Sequence, residues 1–148
     1  MALYQHILIA ADFSNHTDRV IQRAKALAET SNTRLSLCHI VEDFPLTDFA
    51  YEPMISVDID MREALLEAGQ KQLTALGEKF GIDASSQWIE FGNPSRDIVR
   101  IAEEQQVDLI VVGSHGRHGI KILLGSTANA ILHHARCDVL AVRLQDES

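Results

Sequence analysis

The strongest constraint in this sequence is a rhythm: five short runs of branched and apolar residues, separated by four helical patterns. The runs are His6 to Asp12 (HILIAAD), Arg34 to Val41 (RLSLCHIV), Ser86 to Gly92 (SQWIEFG), Asp108 to Ser114 (DLIVVGS) and Asp138 to Leu144 (DVLAVRL). A strand with one wet face alternates apolar and polar residues, whereas near-continuous apolar runs belong to strands covered on both faces. Between the runs, apolar residues recur at helical spacing. Val20, Ile21, Ala24, Leu27 and Ala28 form the first stripe, after Ser14 or Asn15 as cap. The second helix is predicted from about Asp58 to Phe80, with Met61, Leu65, Ala68, Leu73 and Leu76 inward and Gly81 ending it. The third follows Pro94 and Ser95 and carries Ile98, Ile101 and Ala102; the fourth starts at Ser126 and carries Ala130, Ile131 and Ala135. Such an alternation predicts an α/β fold: one domain over residues 1–148, with an open sheet of five parallel strands, right-handed crossovers and helices on both faces. Ligands on such sheets bind beyond the carboxyl ends of the strands, where the strand order reverses.

A chain of 148 residues is long enough for a proper core. Its formal charge of -8 repels nucleic-acid backbone and anionic lipid, so neither is an expected partner. No apolar run is long enough to cross a bilayer. The opening MALYQHILIAAD lacks the basic region of a signal peptide, which predicts a cytoplasmic protein. Cys38 and Cys137 have no metal-ligand spacing and read as reduced thiols. Glu42 to Val57, with two prolines, three aromatics and four acids, is too long for a plain turn. A lid, a partner-binding loop and a plain excursion all remain open for it.

The chemistry concentrates after the fourth run. Gly113, Gly116 and Gly119 permit positive φ and close approach by a ligand, and successive N–H groups on such a loop form an anion nest. Gly125, Ser126 and Thr127 then open a helix, whose first N–H groups and dipole favour phosphate. Both halves lie at one end of the sheet and can grip a polyphosphate, with Arg117 as a cation at the rim. The simpler alternative is a glycine turn followed by an ordinary cap. The pattern is neither a Walker loop, since Gly-Lys-Ser/Thr is missing, nor a dinucleotide fingerprint, which would follow the first strand. Asp12 faces the same crevice, where a carboxylate accepts bonds from ribose hydroxyls or an adenine amine; its alternative role is to start a helix. Val41 packs against a base or against the core. His133 and His134 suit a helix C-terminus better than a metal site. His115 and His118 lie in the loop, where His115 reads as a phosphate donor less readily than as a plain loop residue. Trp88 and Phe91 read as core or interface aromatics.

At these residues the chain resembles the universal stress protein family. HILIAADFS is similar to the family's opening strand with its terminal Asp, and DLIVVGSHGRHG with LLGSTANAILHHARCDVLAVR is similar to its closing signature. The resemblance covers essentially the whole chain. It implies the adenine-nucleotide alpha-hydrolase-like fold, with homodimers pairing through the last strand, here Val139 to Leu144. It implies ATP as ligand, with AMP or ADP as variants and Mg as a companion ion. Adenine and ribose contacts then fall to Asp12 and Val41, with Ala11 beside them. Phosphate contacts fall to Gly113, Ser114, Gly116, Arg117, Gly125, Ser126 and Thr127. The nucleotide-binding branch carries Gly-x-x-Gly, nine residues, then Gly-Ser/Thr; here Arg117 to Leu124 supply eight. Another branch of the family binds no ATP.

Three functions follow, in order: a dimeric stress-response module that senses adenine nucleotide, a slow ATPase, and an interaction protein with an empty pocket. The ATPase ranks below the module because only His115 offers itself as a general base. A receiver domain is excluded, because the third run ends EFGN without a phosphorylatable Asp and the fifth lacks the Lys such domains use.

Overall fold

The structure is a computed structural model. It describes residues 3–29, 32–42, 55–114 and 125–144, with the side chains of all of these but 55–58. The elements run β1 (His6–Ala10), α1 (Thr17–Ala28), β2 (Arg34–Glu42), α2 (Ile55–Phe80), β3 (Gln87–Gly92), α3 (Pro94–Glu104), β4 (Leu109–Gly113), α4 (Ser126–His134) and β5 (Asp138–Val142), with a 3-10 turn at Ala84–Ser86. All four strand pairings are parallel, in the order β3-β2-β1-β4-β5. The expected α/β architecture of five parallel strands is therefore present.

Alternation along each strand splits the core into two layers. On one face, Ile7, Ile9, Leu37, Leu109 and Val111 pack against Val20, Ile21 and Ala24 of α1 and Leu73 and Phe80 of α2. On the other, Leu8, Cys38, Ile40, Ile110 and Val112 meet Ile98, Ile101 and Ala102 of α3 and Ala128 and Ile131 of α4. Central β1 and β4 are buried almost throughout, while edge strands β3 and β5 are largely half-buried, as the two-sided covering requires. The Cys38 thiol is pushed up to about 12 by burial and by the Glu90 charge, so it stays protonated.

Several local expectations need correction. The buried face of α2 runs through Gly69, Leu73, Gly77 and Phe80; Met61 and Leu65 are exposed at 56% and 43%, and Ala68 is exposed as well. The glycines lie where the helix comes closest to the sheet. A Cβ at Gly77 would sit 2.6 Å from the Ile82 carbonyl oxygen. α1 is capped by neither Ser14 nor Asn15; His16 occupies the cap position, and Ser14 Oγ accepts from its N–H. In α4 the inward residues are Ala128 and Ile131, with Ala130 and Ala135 only partly covered. Glu42 belongs to β2 and 55–57 to α2, and residues 43–54 lie outside the described residues.

The amino end of the sheet is tied together tightly. The Asp108 carboxylate accepts from the backbone N–H of Gln5 and His6 at 2.8 and 2.9 Å, and its own N–H donates to His6 O. The Tyr4 hydroxyl donates to Asp138 Oδ2 at 2.8 Å. His6 is buried, with its ring nitrogens 3.1 Å from Gln105 O and 2.6 Å from Ser36 Oγ.

Candidate functional site

The carboxyl end is different. The β1–β4 ladder stops at Ile9↔Val111. Beyond that point β1 continues on β2 to Ala10↔Cys38, and β4 continues on β5 to Gly113↔Val142. A notch therefore opens between the two central strands at the point where the strand order reverses, which is where such sheets take ligands.

Asp12 lies two residues past the end of β1, on the turn into α1. Its Oδ1 accepts from Ser14 N–H at 3.0 Å and from the Thr17 hydroxyl at 3.1 Å. The helix-start role is thus present in the geometry. Ala11 is buried, and its N–H donates to Cys38 O at 2.8 Å. Phe13 follows with φ of 59°, the left-handed region that bulky residues rarely occupy. Val41 sits near the end of β2 opposite Phe91, with its side chain turned to the α2 face beside Gly69. Phe91 carries the Arg62 guanidinium 4.5 Å above its ring, and Trp88 packs on the α3–α4 layer.

On the other side of the notch, Ser114 joins three elements. Its N–H donates to Val142 O at 2.8 Å, its carbonyl accepts from Gly125 N–H at 2.5 Å, and its Oγ accepts from Leu144 N–H at 3.0 Å. This fixes the start of α4 against the ends of β4 and β5. Gly125 is the cap residue of α4 and has no side chain to close it. The first helical bond is Asn129 N–H to Gly125 O, so the N–H groups of Ser126, Thr127 and Ala128 precede it. By contrast α3 is closed by Asn93, whose side chain accepts from Arg96 N–H, and by the buried Asp97 carboxylate.

Gly113, Ser114, Gly125, Ser126 and Thr127 are thus brought to one side of the notch, with Ala11 and Asp12 on the other. Gly113 does not use a positive φ; among the described glycines only Gly81 does. Gly116, Arg117, His115, His118 and Gly119 lie outside the described residues. His133 and His134 are exposed in the last turn of α4, and no group of three or more metal-ligating side chains occurs among the described residues. Sequence reasoning missed His39 and Phe13. Their rings stack with centroids 4.0 Å apart, and His39 Nδ1 lies 2.6 Å from Ala11 O. Only the β1–β2 register brings them together, so no local signal announces the pair.

A doubly wound parallel sheet, parted at its switch point beside a helix start capped by a glycine, defines a single-domain α/β protein. The chain belongs to the universal stress protein family, whose model matches residues 3–143. It is 39% identical over 143 residues to universal stress protein A homolog 2 of Coxiella burnetii, covering 96% of this chain and 97% of the relative. Its fold matches that of hypothetical protein MJ0577 with a TM-score of 0.81 and 25% identity, over 98% and 99% of the two chains. It also matches a universal stress protein in complex with cAMP, with a TM-score of 0.60 and 26% identity, over 94% and 96%.

Proposed function

We propose that this chain is a dimeric, cytoplasmic stress-response protein that binds an adenine nucleotide, ATP foremost, as a sensor or regulatory module. The observation that carries this reading is the start of α4: held to Ser114 O through Gly125 N–H, with no side-chain cap among the described residues, beside the point where the β1–β4 ladder ends. Phosphate suits that helix start, with its N–H groups and dipole. Asp12 and Val41 take the nucleoside end, and Gly116 and Arg117 add to the phosphate cradle. The family member bound to cAMP supports an adenine nucleotide as the ligand class. Hydrolysis is slow in this reading, because rapid turnover needs a positioned water and base.

Dimerisation uses the outer side of β5, an edge strand of the described sheet with half-buried apolar residues. Light scattering should give the mass of two chains at micromolar concentration, and a monomer there refutes it. No helix among the described residues is long and apolar enough to cross a membrane.

The test of binding is calorimetric titration with ATP, beside Ser126→Glu. Ser126 is exposed at the first position of α4, where a carboxylate favours the helix but repels phosphate. Wild type should bind, and the variant should lose about tenfold or more in affinity. A wild type that binds no adenine nucleotide at millimolar concentration, or a variant that binds equally well, refutes the reading.

A further inference from the structure

His39 touches both neighbours of Asp12. Its Nδ1 lies 2.6 Å from Ala11 O. A carbonyl oxygen only accepts, so Nδ1 carries the hydrogen and donates it. The same ring stacks on Phe13, centroid to centroid at 4.0 Å and tilted by 33°. Phe13 is held at φ of 59°, a conformation that is strained for an aromatic residue and needs support from its surroundings. Behind the ring, α2 presents Gly69, where even a Cβ would come within 3.7 Å of His39 Cδ2. The imidazole is thus seated between a helix backbone and the turn that follows β1.

From this geometry we infer that His39 is the positioning residue of the nucleoside end of the site. Its donation to Ala11 O and its stack on Phe13 fix the turn in its left-handed form. That form sets where Asp12 stands beyond the end of β1. The inference rests on the nucleotide reading above for its functional meaning. The ring lies against Phe13 and Gly69 on the α1–α2 side of the sheet, whereas α4 packs on the opposite side, so its influence divides the ligand: the nucleoside end depends on it and the phosphate end does not.

Two variants separate its contributions. His39→Phe keeps a ring against Phe13 but removes the donor to the part-buried Ala11 O. His39→Asn returns a donor near the place of Nδ1. Calorimetric titration is run with ATP and with inorganic tripolyphosphate. His39→Phe should weaken ATP by about tenfold and leave tripolyphosphate unchanged, and His39→Asn should recover part of the ATP affinity. Equal ATP affinity in wild type and His39→Phe overturns the inference, and so does a parallel loss for both ligands. A second readout needs no ligand: amide exchange at Ser14, whose N–H is bonded to Asp12. It should quicken in His39→Phe, less so in His39→Asn, while Ile7 to Ile9 stay protected. Unchanged exchange at Ser14 overturns the inference. Quickened exchange in a protein that binds neither ligand upholds the positioning and overturns the nucleotide reading alone.

Discussion

Gly92 ends β3 at a place with no room for a side chain. A Cβ there would lie 2.2 Å from Asp97 Oδ2 and 3.3 Å from its Cγ, far inside van der Waals contact. The backbone at Gly92 is not left-handed, so the obstacle is space alone. Asp97 is buried, and its Oδ2 accepts from Asn93 N–H at 2.9 Å. Arg96 and Arg100 bond the same carboxylate. Burial by itself would raise its pKa, but the bonds from Arg96, Asn93 and Arg100 prevail and hold it below the ordinary carboxylate range. In Gly92→Ala the carboxylate must swing off this seat. That leaves Asn93 N–H without its acceptor, at about 1–3 kcal/mol; the Arg96 pair adds little because Arg96 is mostly exposed. Asp97→Ala forfeits the same bonds, so each single change should cost about 2 kcal/mol. With the carboxylate already gone, the methyl at 92 meets nothing new. The double variant should therefore also cost about 2 kcal/mol, giving a coupling of about 2 kcal/mol. Urea unfolding of the four proteins at neutral pH, with equal m-values, measures this cycle. Additive losses, within about 0.5 kcal/mol, would refute the shared-seat argument.

Leu73→Ala opens a cavity in the wholly buried face of α2 and should cost about 3 kcal/mol, whereas exposed Leu65→Ala should cost under about 0.5 kcal/mol, both by the same unfolding assay. His6 has its pKa lowered, chiefly by burial. The native state therefore binds fewer protons than the unfolded chain near pH 6, and stability should fall as pH drops below about 6.5. Urea midpoints at pH 7.5 and 5.5 should fall more in wild type than in His6→Gln, and equal falls would reject that role.

The strands were legible to within a residue or two because a sheet covered on both faces leaves one unmistakable mark, the unbroken apolar run. The face of α2 was not, because its closest contacts are made by Gly69 and Gly77, which carry no hydropathy. Met61 and Leu65 gave the louder periodic signal and lie outside. The cap of α1 was misplaced because Ser14 serves His16 N–H from within a turn organised by Asp12. At the candidate site, the glycine and hydroxyl residues around α4 could be read from their order in the chain. The bond from Leu144 N–H to Ser114 Oγ could not, since it depends on how β5 returns beside β4. The His39–Phe13 stack is hidden for the same reason: it is a product of register.

The seam between β1 and β4 also has a mechanical meaning. Ile7 pairs with Leu109, so this junction closes a loop of roughly a hundred residues, while the other three strand pairs join strands that are consecutive in the chain and close shorter loops. One jaw of the molecule is β1 to β3 and the other is β4 to β5. Asp108 and Asp138 clasp the jaws at the hinge, and the mouth opposite has only the short ladder below it. A ligand held by Asp12 on one jaw and by the start of α4 on the other would act as a bolt across that mouth. At a hundred times its dissociation constant such a bolt resists opening by about 2.7 kcal/mol, so the load that parts the jaws would rise with nucleotide concentration, and the stiffness of this small domain would become a gauge of the ligand around it.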